Sequence, residues 1–73
     1  MPQATRKHSV TLDGHRTSIS LEDPFWEALN EIALQQDQSV TRLIVKIDRE
    51  RVSESMPLSS AIRIFVLEYY RKS

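Results

Sequence analysis

The chain has 73 residues, no cysteine and a formal net charge of zero, with ten basic and ten acidic side chains. That length makes one small domain, 1–73, marginal as a monomer. Without cysteine it has neither a disulfide nor a thiolate metal site, so oligomerisation is the expected remedy. A hydrophobic share of 40% suits a folded chain, while no apolar run approaches the ~18 residues of a membrane span and no signal-peptide core stands at the N-terminus. No membrane partner is expected, and a cytoplasmic location is. The neutral sum hides an uneven distribution: residues 1–20 total +2, residues 21–37 total −5, residues 38–52 total +2 and residues 53–73 total +1. A basic face can exist on such a neutral protein.

Residues 1–7 read as a flexible basic arm ending in Arg6-Lys7. Residues 8–12 and 15–21 alternate apolar and polar side chains, as strands do. Between them stands Asp13-Gly14, with the only glycine of the chain. Asp-Gly between alternating runs is a strong hairpin signal, because glycine adopts positive φ cheaply. In the second run Thr17, Ile19 and Leu21 face one side, and Arg16, Ser18 and Ser20 the other. The second face is a row of hydrogen-bonding groups. His8 and His15 would lie near each other across this hairpin. With only Asp13 nearby they make a poor metal set, and neither a metal nor a cofactor is expected. No internal repeat stands out.

A first helix is predicted over 24–36. Asp23 is its expected N-cap and Pro24 suits its first turn. Phe25, Ala28, Leu29, Ile32 and Ala33 recur at helical spacing, with Glu27, Asn30 and Glu31 on the wet side. Trp26 is expected at the margin of the core. After the polar link 36–38, Ser39 should cap a second helix over 40–51, with Val40, Leu43, Ile44 and Ile47 on its apolar face. A third helix over 59–72 follows the loop at Pro57. It is apolar nearly all round, through Ile62, Ile64, Phe65, Val66, Leu67, Tyr69 and Tyr70, so a second subunit is expected to cover part of it. No glycine-rich phosphate loop, nucleophile elbow or metal-ligand helix appears, and an enzyme is not expected.

Strand, helix, short turn, Ser-Val-Thr, helix: over about residues 15–50 this order resembles the ribbon-helix-helix family of DNA-binding proteins, of the Arc and MetJ type. The residues that carry the resemblance are Arg16-Thr17-Ser18-Ile19-Ser20-Leu21, Phe25-Trp26-Glu27-Ala28-Leu29 and Ser39-Val40-Thr41-Arg42-Leu43-Ile44. With Ser59-Ser60-Ala61-Ile62-Arg63-Ile64-Phe65-Val66-Leu67 it is similar to a small bacterial subfamily bearing an extra C-terminal helix. The usual glycine of the inter-helix turn is replaced here by Asp37 or Gln38.

The resemblance implies a mainly α fold with a short β ribbon, built as an intertwined homodimer in which each subunit gives one ribbon strand. It implies a transcriptional regulator, a repressor by preference, whose partner is double-stranded DNA and which associates with the nucleoid when bound. Arg16, Ser18 and Ser20 would read bases in the major groove. Ser39, Val40 and Thr41 at the second helix start would hold a phosphate, aided by Arg6 and Lys7. Ile19, Leu21, Phe25, Leu29, Ile32, Leu43, Ile44, Ile47 and Phe65 would form the dimer core. An alternative expectation is an antitoxin-like or adaptor module that grips a protein partner through the C-terminal helix.

Overall fold

Asp13 and Gly14 both adopt positive φ, 51° and 83°, the pattern of a two-residue type I′ turn. In the computed structural model, which describes residues 4–51, 53 and 55–72, this turn joins β1 (Thr5–Leu12) to β2 (His15–Glu22). The two strands pair antiparallel with Leu12 opposite His15 and Thr5 opposite Glu22. The expected hairpin therefore forms, and it is longer than its sequence pattern indicated. Arg6 and Lys7, expected in a flexible arm, are strand residues. His8 lies opposite Ile19 and His15 opposite Leu12, so the two histidines stand at separate places along the hairpin rather than side by side.

Nothing around Gly14 lies within 4 Å of the position a Cβ would take. Its requirement is thus conformational rather than steric. Gly14→Ala is expected to cost about 1 kcal/mol, read as a lower urea midpoint.

Three helices follow: α1 (Asp23–Gln35), α2 (Val40–Arg49) and α3 (Leu58–Lys72). At the start of α1 the structure corrects the expected cap. Glu22 is the N-cap residue and makes no side-chain capping bond. Asp23 falls inside the first turn, because β2 runs straight into the helix. Its carboxylate instead meets Arg6 at 3.3 Å. Ser39 does cap α2, its hydroxyl accepting the Arg42 N–H at 3.1 Å. That helix stops at Arg49, short of the expected residue 51, with Glu50 as C-cap. The Arg51 guanidinium turns to Asp48 at 2.9 Å and donates to the Met56 carbonyl at 2.6 Å.

The end of α1 is held by the Gln38 N–H to the Ala33 carbonyl (3.0 Å) and the Asp37 N–H to the Leu34 carbonyl (3.1 Å). These two bonds form a Schellman motif, which needs a left-handed residue. Asp37 supplies it, at φ 55°. Asp37→Gly should raise stability by about 0.5–1 kcal/mol, seen as a higher melting temperature.

The core lies between the inner face of the hairpin and the three helices. Leu21, Leu29, Ile32, Leu43, Ile44 and Ile62 are fully buried there, with Val10, Ile19, Ala33, Ile47, Ala61 and Val66 close behind. Ile19, Leu21, Leu29, Ile32, Leu43, Ile44 and Ile47, expected in a dimer core, are buried within the single chain; Phe25 and Phe65 are half-buried at its margin. Along one edge β2 pairs with β1 of its own chain. A two-residue turn brings β1 alongside at little loop-closure cost. The α3 helix contributes Ala61, Ile62 and Val66 to the core, which accounts for much of its apolar circumference. Tyr69 hydrogen-bonds Gln35, and Tyr70 donates to Glu31 at 3.2 Å, tying α3 to α1. Among the described residues no helix is long and apolar enough to cross a membrane.

Candidate nucleic-acid interface

Side chains directly opposite each other in a ribbon share a face. The register places Lys7 opposite Ser20, Ser9 opposite Ser18 and Thr11 opposite Arg16. All six are exposed. They form one continuous polar surface, the outer face of the hairpin. The opposite face carries His8, Val10, Leu12, Thr17, Ile19 and Leu21 toward the helices. His8 stacks on Trp26, with ring centroids 3.9 Å apart and planes within 10°.

The structure thus brings Arg16, Ser18 and Ser20 together in a row, and adds three β1 side chains beside them. Of these, Ser9 and Thr11 were missed by the sequence reading. Their alternation was visible, but their neighbours on the outer face follow only from the register.

Several cations on and near the hairpin are paired with acids of the chain itself. Arg6 pairs with Asp23 at 3.3 Å. Arg49 pairs with Asp13 at 3.1 Å, fastening the turn to the end of α2. Arg63 pairs with Glu22 at 2.8 Å and lies 5.9 Å from the centre of the Phe25 ring. Among the described residues Lys7 and Arg16, the two cations of the outer face, make no ion pair. Unpaired cations are the ones able to attract phosphates or base edges without first releasing a carboxylate.

The Arg63 guanidinium holds the Glu22 carboxyl below its usual range, helped by a backbone hydrogen bond and against some loss of hydration. A depressed carboxylate stabilises the fold above its unfolded-state pKa, and that contribution fades as pH falls through the folded-state value. Glu22→Gln should therefore be less stable than wild type at neutral pH. The difference should close below roughly pH 4, in urea melts run across pH.

At the start of α2, the N–H groups of Val40 and Thr41 belong to the first turn and have no intrahelical acceptor. The first turn shares no hydrogen bond or ion pair with the hairpin among the described residues. α2 packs on β1, and the ion pair that ties it to the hairpin is made by Arg49, at the other end of the helix.

Away from the hairpin, α3 leaves Ile64 (45%) and Leu67 (55%) exposed. Beside them Ile47, Met56, Ala61, Ile64 and Phe65 line an open cleft of about 180 Å³.

The strands and helices are consistent with the ribbon-helix-helix domain family, and residues 5–70 match that family. The chain belongs to it. The family is one of DNA-binding regulators and antitoxins, which as a rule bind DNA as dimers and are not enzymes. An uncharacterized protein from Bordetella pertussis Tohama I has a similar solved structure, with a TM-score of 0.80 and 33% identity over 94% of this chain. The match covers 58% of that chain, so this one spans a little over half its length. No curated protein matches.

Proposed function

We propose that this chain is a sequence-specific DNA-binding regulator of transcription, acting as a repressor, and that the outer face of the hairpin is its DNA-contacting surface. The single observation that carries this reading is the outer face of the hairpin, where Lys7 and Arg16, which make no ion pair among the described residues, stand exposed beside the hydroxyl side chains of Ser9, Thr11, Ser18 and Ser20. The B-DNA major groove is about 12 Å wide and admits a two-stranded ribbon. Arginine donates to guanine O6 and N7, and serine to several base edges.

In this reading Arg16, Ser18 and Ser20 contact bases. The Ser39-capped start of α2, with the Val40 and Thr41 N–H groups, takes a phosphate. Lys7 adds to electrostatic attraction, and Arg6 does so only by leaving Asp23. The protein acts as a homodimer, after the rule of its family, and is found with the nucleoid. Such contacts position and specify in different ways: phosphate contacts hold the register and base contacts select the sequence.

The test is selection of bound fragments from sheared genomic DNA at ~150 mM salt, where weak non-specific attraction fades. Wild type should recover a motif. Arg16→Ala should lose about 1–3 kcal/mol of discrimination within it. Equal discrimination by the two proteins would remove Arg16 from base reading.

The exposed Ile64 and Leu67 beside the α3 cleft favour a second reading, in which α3 docks a protein partner as an antitoxin or adaptor would. Leu67→Asp should then abolish co-purification of that partner and leave DNA selection unchanged.

A further inference from the structure

The last turn of α2, the loop at Met56 and one side of α3 enclose the open cleft. Its walls are apolar: Ile47 and Ala61 are buried, Met56 and Phe65 half-buried, and Ile64 exposed at the lip. Leu67 extends this apolar surface along α3, since residues three apart lie on one face of a helix. The core does not use Ile64 or Leu67; α3 fills it with Ala61, Ile62 and Val66.

The lip is acidic. Glu50 and Glu68 line the cleft from the α2 end and from α3. Both are exposed, and neither makes an ion pair among the described residues. Glu50 is also the C-cap of α2, where a helix end carries about half a negative charge. The cation in the wall, Arg51, is taken up by Asp48 at 2.9 Å and by the Met56 carbonyl at 2.6 Å. The next cations along α3, Arg71 and Lys72, lie past Glu68 and outside the cleft.

We propose that this cleft is the docking site for a basic amphipathic helix of a protein partner, which seats an apolar side chain between α2 and α3 and lays lysine or arginine over Glu50 and Glu68. The proposal rests on the reading of α3 as a partner-docking surface and names the partner's chemistry.

Shape and charge select this occupant. A cleft of about 180 Å³ is smaller than the roughly 300–1,000 Å³ of a small-molecule pocket. Being open as well, it suits a side chain presented by another folded surface. A helix laid in a groove offers anchors three or four positions apart, the spacing of Ile64 and Leu67 opposite it. Two unpaired carboxylates repel phosphate, so nucleic acid does not fit. An acidic or neutral partner would strip water from these carboxylates without compensation, a cost that a cationic one avoids. Apolar contact supplies most of the affinity, and the charges set orientation and partner choice.

The experiment follows the fluorescence anisotropy of labelled synthetic helices added to the full chain. The first peptide places leucines at i, i+3, i+4 and i+7 with lysines beside them. The second has glutamate for every lysine, and the third alanine for every leucine. Wild type is expected to bind the first and not the others. Ile64→Ala combined with Leu67→Ala should weaken binding by at least about 10-fold. Glu50→Gln combined with Glu68→Gln should weaken it by roughly 2- to 30-fold and flatten its salt dependence. All four positions are exposed, and circular dichroism checks that both variants keep the wild-type melt. Equal binding of the lysine and glutamate peptides, or no effect of the two glutamine changes, overturns the basic partner and leaves docking on α3 standing. Binding of no peptide, binding of the alanine peptide as tight as that of the first, or binding indifferent to the Ile64 and Leu67 changes removes α3 as a docking surface, and this proposal with it. Sedimentation velocity of the protein alone tests for a second copy in the cleft. A fall in its association state with Ile64→Ala and Leu67→Ala would show that occupant and overturn the proposal.

Discussion

Ile62→Ala is expected to remove about 2–5 kcal/mol of stability, the range for emptying a fully buried aliphatic site. Ile62 is wholly buried, on a helix that packs against α1, α2 and β2. A domain of this size has roughly 4–11 kcal/mol to lose, so the variant should be partly unfolded near 37 °C. Ile64→Ala and Leu67→Ala, on the exposed side of the same helix, should move the urea midpoint by less than about 0.5 kcal/mol in equivalent stability. A midpoint for Ile62→Ala equal to wild type would mean that α3 is an appendage rather than part of the core. The contrast bears on function. If α3 is needed to close the fold, its exposed Ile64, Leu67 and Tyr70 side chains are the apolar surface left to receive a partner, and an antitoxin-like role would work through them.

The sequence was legible where a local rule decides the structure. Asp13-Gly14 dictates a tight turn, and both residues take positive φ. Ser39 precedes an amphipathic run and caps it. Asp37 stands where the inter-helix turn needs a left-handed residue and adopts that conformation. The apolar spacing of α1 and α2 picked out Leu29, Ile32, Leu43, Ile44 and Ile47 as core.

It was not legible where the outcome depends on pairing between distant positions. Asp23 has the chemistry of an N-cap, but Arg6, brought alongside by the hairpin, takes its carboxylate. The apolar circumference of α3 does not say which of its residues face its own chain; in the fold these are Ala61, Ile62 and Val66. The outer face was read from β2 alone, since nothing local says which β1 residue lies opposite Ser18. Once the register is known, Lys7, Ser9 and Thr11 fall on the same outer face as Arg16, Ser18 and Ser20.

Leu21→Ala should cost about 2–5 kcal/mol, while Leu12→Ala should cost nearer 1 kcal/mol. The two leucines both lie on the inner face of the hairpin and differ in surroundings. Leu21 is fully buried where β2 runs into α1, whereas Leu12 is only partly buried beside the turn. The two strands are thus held differently: β2 is anchored at the head of a helix, and β1 is held by Val10, the His8–Trp26 stack and the Arg6–Asp23 pair. The leucines lie at opposite ends of the hairpin, roughly 20 Å apart along it, so their effects should add to within about 0.5 kcal/mol. Urea denaturation of the two single variants and the double variant measures all three quantities. Equal losses at Leu12 and Leu21 would show that the two sites are packed alike. A larger loss at Leu21 would show that the core is anchored where β2 enters α1 rather than beside the turn, as the burial of the two leucines implies.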